Sequence, residues 1–108
     1  MKTISAQQLK KKLDEKEGFV LVDVLSKESF DSKHIPGSIN IPVGEIEERA
    51  PKEIKDKDKE VVVYCASESC QASPSAAKKL TEMGYKNVAD FEGGLAGWEE
   101  SGYKFEEM

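Results

Sequence analysis

Histidine and tryptophan each occur once in the 108 residues, and cysteine only twice. Two cysteines are too few for a disulfide scaffold, and their clustering as Cys65 and Cys70 points to reactivity or a local bond. The single histidine, His34, is the one candidate for a base at neutral pH, although a structural role within its own turn is the plainer expectation. Cys65, Cys70 and His34 supply too few ligands, at the wrong spacing, for a zinc knuckle, so no metal is expected. No apolar run approaches membrane-spanning length, and Met1-Lys2-Thr3-Ile4-Ser5 lacks the apolar centre of a leader. A cytoplasmic protein with no membrane partner is expected. Positive charge is also short: the net charge of -5, with Glu92, Glu99, Glu100, Glu106 and Glu107 at the C-terminal end, gives no footprint for nucleic acid.

What is present fits one soluble domain over residues 1–108, with 34% charged and 38% hydrophobic residues. Ser5 can cap a helix over roughly residues 6 to 16, with Ala6, Leu9 and Leu13 on one face and Gly18 ending it. The lysines of this segment, Lys10 to Lys12, read as a solvated helix face. Phe19-Val20-Leu21-Val22-Asp23-Val24 is nearly continuously apolar, as in a strand covered on both faces of a parallel sheet. Asp23 interrupts that run near the edge where α/β sheets bind ligands, and is expected to anchor the following loop. Ser26 can cap a short helix through Phe30. Pro36-Gly37 signals a turn, and Ile39 and Ile41 alternate as in a short edge strand. Residues 43 to 50 suggest a short helix with Ile46 inward, broken by Pro51, and residues 52 to 59 a charged connector.

Glu60-Val61-Val62-Val63-Tyr64 reads as a buried strand ending in Cys65, followed by a loop, with Ser73 and Pro74 as the N-cap and first turn of a helix. A thiol placed there faces helix N–H groups that favour an anion, so a thiolate or persulfide would be stabilised. Ala76, Ala77, Leu80 and Met83 give that helix an apolar stripe, and Gly84 stops it. Asn87-Val88-Ala89-Asp90-Phe91 reads as a last strand, Glu92-Gly93-Gly94 as a tight turn, and Leu95 to Trp98 as a short helix closed by Gly102. Trp98 is expected in the core. Alternating strands and helices argue an α/β fold with a small parallel sheet and helices on both faces.

Four pieces in this order resemble a single-domain rhodanese of the sulfurtransferase family: the strand ending at Asp23, His34-Ile35-Pro36-Gly37-Ser38-Ile39-Asn40-Ile41-Pro42, Val61-Val62-Val63-Tyr64-Cys65, and Glu92-Gly93-Gly94-Leu95-Ala96-Gly97-Trp98. The resemblance covers nearly the whole chain. It implies a single rhodanese-like domain whose catalytic Cys65 takes a sulfane sulfur from a small-molecule or protein-bound donor and passes it, as a persulfide, to a nucleophilic acceptor. It further implies that the backbone of Ala66, Ser67, Glu68, Ser69, Cys70, Gln71 and Ala72 binds the anion, with Asp23 in support, and that neither metal nor organic cofactor is needed. A monomer is expected.

The chain departs from the family pattern in its loop. Many members carry a basic residue before the helix, whereas Ala66 to Ser75 contains no Lys or Arg and does contain Glu68. The interval from Cys65 to Ser73 is slightly long, and Leu25 stands where an Arg is common. Weak thiosulfate turnover follows, and phosphoryl transfer, which relies on an Arg clamp, is disfavoured. Cys70 can be a resolving thiol or a loop filler. Two other functions stay open: a thiol-disulfide redox protein using Cys65 and Cys70, and a non-catalytic interaction module on the same fold.

Overall fold

The computed structural model describes residues 2–107. Strands and helices alternate as β1 (Lys2–Thr3), α1 (Ala6–Asp14), β2 (Phe19–Asp23), α2 (Lys27–Ser32), β3 (Ile39–Asn40), a 3-10 turn at Val43–Glu45, α3 (Ile46–Glu53), β4 (Glu60–Tyr64), α4 (Ala72–Glu82), β5 (Asn87–Phe91) and α5 (Gly94–Glu100). All strand pairs are parallel, in the order β1-β5-β4-β2-β3. The chain order reverses around β2 and β4, so their C-terminal ends flank the crevice where such sheets place their sites.

Each face of the sheet is covered, which is why β2 and β4 are apolar throughout. Val22, Val61 and Val63 pack under α3 and α4 with Ile46, Ala50, Ala76, Ala77 and Leu80. Leu21, Val62, Tyr64 and Ala89 pack on the other face with Leu9 of α1 and Leu95 and Trp98 of α5. Trp98 is a core residue, as expected, and its indole N–H donates to the Lys104 carbonyl at 2.9 Å.

Local signals explain most boundaries. Ser5 and Gln8 form a reciprocal capping box on α1, and Ser26 caps α2. Gly84, at φ +99°, lets the chain leave α4. Two expectations need correction, and one strand was not foreseen. Pro51 lies inside α3, which closes only after it with the Ile54 N–H on the Ala50 carbonyl at 2.7 Å. The proline therefore removes one bond near the helix end without stopping the helix. Ser73 is not an N-cap: α4 begins at Ala72 after Gln71, and Ser73 lies within its first turn. Strand β1 was not expected, because two exposed residues carry no alternation to read.

Candidate active site

Alternation along β4 continues one residue past the strand and turns Cys65 to the α3–α4 face, beneath the loop of residues 66–71. Cys65 keeps 1% of its surface exposed, whereas Cys70 is half-buried; both are free thiols. The loop is tightened by the Cys70 N–H on the Ser67 carbonyl, 3.1 Å, and by the hydroxyls of Ser67 and Ser69 at 3.1 Å. The Cys65 thiol lies within donating range of the Cys70 carbonyl at 3.6 Å and the Ser73 hydroxyl at 3.4 Å.

These surroundings act oppositely on the two sulfurs. Burial pushes the Cys65 thiol up, its bond with Cys70 adds to that, and Ser73 only partly offsets the rise. Burial also opposes ionisation of Cys70. There, however, hydrogen bonds from the Cys65 thiol and from the N–H groups of Ala66, Ala72 and Ser73 outweigh it, and Cys70 falls below an ordinary cysteine. The helix start was expected to favour the Cys65 thiolate; burial instead disfavours it, and the N–H groups of Ala72 and Ser73 lower Cys70.

Two residues that sequence reasoning missed shape this site. Asp90, on β5 beside Val63, is 1% exposed, and its Oδ1 has no hydrogen-bond partner. Burial raises its pKa, partly offset by the Ser73 hydroxyl, the same hydroxyl that faces the Cys65 thiol. Its signal was legible: like Asp23, it interrupts an apolar strand near its C-terminal end. Gly94, at φ +60°, lies against the Cys65–Ala66 peptide, where a Cβ would strike the Cys65 carbonyl oxygen and stand 2.9 Å from the Ala66 carbonyl carbon. That close approach lets the first N–H groups of α5 reach the loop: Leu95 donates to the Cys65 carbonyl and Ala96 to the Ala66 carbonyl, both at 2.9 Å.

The remaining expected residues lie around this centre. Asp23 is fully buried, and its Oδ1 accepts the Leu25 N–H at 2.8 Å, a loop anchor. Burial pushes the Asp23 carboxyl up, against the opposing pull of the Leu25 N–H, Tyr64 and His34. Tyr64, its neighbour on β4, accepts the Ile35 N–H at 3.1 Å and lies 3.0 Å from the Ser38 hydroxyl, which fixes the turn of residues 34–38. His34 is buried, donates through Nδ1 to the Phe30 carbonyl at 2.8 Å and stacks on the Phe30 ring at 3.8 Å. It is a structural residue of its turn. Glu68 is exposed at the outside of the loop. Beside it opens a pocket of about 330 Å³ whose lining includes Ser67, Glu68, Ser69 and Glu100, but neither cysteine and no Lys or Arg. Among the described residues no helix is long and apolar enough to cross a membrane, and no cluster of three His, Cys, Asp or Glu could hold a metal.

Comparison with known proteins bears on the family and the fold. The model of the rhodanese-like domain matches residues 5–101. The chain is 38% identical to the putative sulfurtransferase YtwF of Bacillus subtilis over 92% of its own length and 91% of that protein. It is 39% identical to the thiosulfate sulfurtransferase PspE of Escherichia coli, covering 68% of each chain. It is also 34% identical to the putative sulfur carrier protein YrkF of Bacillus subtilis, over 88% of this chain, but spans only about half (49%) of that longer relative. Among solved structures, the rhodanese-like domain of the Alr3790 protein from Anabaena superposes with a TM-score of 0.89 at 27% identity, covering 100% of this chain and 80% of that one.

Proposed function

The chain belongs to the rhodanese-like domain family, and from that premise we propose that it moves a sulfane sulfur through a persulfide on Cys65 to a thiol or other nucleophilic acceptor. Donor and acceptor are small molecules or protein-bound thiols, as for a sulfurtransferase or sulfur carrier. The observation that carries this reading is the strand-end thiol of Cys65 at the start of α4, where the Ser73 hydroxyl, 3.4 Å from its sulfur, and the first N–H groups of the helix lie. Such groups stabilise the negative charge of a persulfide or of a leaving thiolate. The reaction is covalent and two-stage: a cysteine thiolate displaces the donor's leaving group from the sulfane sulfur, and the acceptor later removes that sulfur.

Thiosulfate is a poor donor in this reading. A dianion meets N–H dipoles but no Lys or Arg within the loop, and Glu68 opposes it. Incubation with glutathione persulfide, followed by intact mass, tests the proposal. It predicts a one-sulfur gain that cyanide removes; wild type with no such adduct would end it.

A second reading rests on two free thiols at one loop, the Cys65 sulfur 3.6 Å from the Cys70 carbonyl: a thiol-disulfide protein that cycles a Cys65–Cys70 bond. It requires that peroxide or an oxidised dithiol remove both alkylatable thiols together, and that a dithiol restore both.

A further inference from the structure

The sulfur transfer proposed above needs a donor to touch a nucleophile, and Cys65 is poorly placed for that. It is 1% exposed and lies beneath the 66–71 loop. Cys70 stands on the same loop, half-buried, with its carbonyl 3.6 Å from the Cys65 sulfur, and the N–H groups of Ala66, Ala72 and Ser73 favour its thiolate. The site therefore has an outer sulfur inside the anion cradle and an inner sulfur below it.

We propose that Cys70 is the port at which sulfane sulfur enters and leaves the protein, and that Cys65 is the inner store that exchanges sulfur with it. This rests on the sulfur-transfer reading and names the residue that meets the donor.

The chemistry balances without an outside oxidant or reductant. Cys70 as thiolate attacks the terminal sulfur of a donor persulfide R–S–SH; the sulfur–sulfur bond of the donor breaks, R–S⁻ leaves with the electron pair, and Cys70–S–SH forms. Cys65 then attacks that same terminal sulfur. The bond between it and Cys70 breaks, the Cys65 proton passes to the departing Cys70 sulfur, and Cys65–S–SH remains with Cys70–SH. The Cys65 sulfur, 3.6 Å from the Cys70 carbonyl, already lies against the residue that hands sulfur to it. The N–H groups around Cys70 stabilise it both as attacking and as departing thiolate, a charge that develops twice per cycle. The acceptor reaction is the reverse sequence, with sulfur returning to Cys70 before it leaves. A donor with a small uncharged or cationic leaving group fits this entry better than a dianion, since the rim contributes Glu68 and no basic side chain.

The test is a rapid-mixing experiment with glutathione persulfide as the probe, quenched by alkylation and read by fragment-ion mapping of the peptide that holds both cysteines. In wild type the persulfide is expected on Cys70 first and on Cys65 later. C65A is expected to take up sulfur still and to hold it on Cys70, and C70A to charge about ten-fold or more slowly. Thermal melting of both variants establishes that they are folded, and the order of labelling in wild type needs no variant. Direct labelling of Cys65 in wild type, with C70A charging at the wild-type rate, would overturn the port and leave the Cys65 persulfide standing. A Cys65–Cys70 disulfide with release of free sulfide, and no persulfide on Cys65, would overturn the store. No sulfur on either cysteine would overturn the sulfur-transfer reading itself.

Discussion

Gly94 packs its Cα against the carbonyl of Cys65, and the left-handed turn it makes there, φ +60°, lets Leu95 donate to that same carbonyl at 2.9 Å. The loop that covers the two thiols is therefore held from across the sheet, by a glycine that stands after β5 in the chain. A methyl group at Gly94 meets both costs at once, a strained backbone and a collision with backbone atoms that cannot rotate away. G94A is expected to lose on the order of 2–4 kcal/mol in denaturant unfolding and to lose persulfide formation in whatever fraction stays folded. G44A serves as a control, since a Cβ there meets nothing within 4 Å. If G94A matches G44A in both stability and activity, the loop is not anchored in this way.

The opposed shifts of the two thiols predict which one reacts first with an alkylating agent. Cys70 is below and Cys65 above an ordinary cysteine. As pH rises, labelling of Cys70 should begin first and that of Cys65 should lag, both because it ionises later and because it is buried. C65A removes a hydrogen bond from the Cys70 sulfur, so the Cys70 profile is expected to move to higher pH. An unmoved profile would assign the lowering to the N–H groups of Ala66, Ala72 and Ser73 alone. The measurement is rate against pH, residue by residue.

Much of this fold was legible because its signals are local. The apolar runs of β2 and β4 follow from burial on both faces, and Ser5, Ser26 and Gly84 mark helix ends by their own hydrogen bonds or dihedral angles. Cys65 was legible as a strand-end thiol for the same reason. What failed depends on distant partners. Ser73 has the chemistry of a cap, but the chain bends earlier, at Gln71, and the hydroxyl turns to Cys65 and Asp90. Pro51 reads as a break, yet Ala50 lies in the core between the sheet and α4, and packing carries the helix through. The unequal burial of Cys65 and Cys70 could not be read from spacing, because it depends on the loop's path, fixed from α5 by the Leu95 and Ala96 N–H groups.

Glu68 lies at the exposed outer edge of the loop, and Glu100 lines the pocket beside it. Charge at an exposed position is screened, so its effect on an anionic donor is modest and depends on salt. E68Q is expected to raise thiosulfate turnover by about two-fold and E68R by about ten-fold at low ionic strength, with little change for a neutral persulfide donor. Sulfite release from thiosulfate measures it. Equal effects on charged and neutral donors would show that Glu68 acts through loop structure, and an effect that does not shrink in salt would exclude simple electrostatics.

Asp90 gives the molecule a pH dependence of definite sign. Its carboxyl is buried, one oxygen lacks a partner, and its pKa is raised in the folded state above the ordinary value of 3.8. The folded state thus holds the proton more tightly than the unfolded chain. Stability carried by this group is present below the unfolded value and is lost as pH climbs through the raised one. D90N keeps the shape without the charge, so it should be more stable than wild type at neutral pH. That advantage should fade as pH falls toward the ordinary carboxylate range, where the wild-type carboxyl is protonated in both states. Denaturant midpoints measured across that range decide the matter. An advantage that stays constant with pH would mean that Asn improves packing, and a loss at neutral pH would mean that the carboxylate of Asp90 has a stabilising partner in the Ser73 hydroxyl that Asn cannot replace.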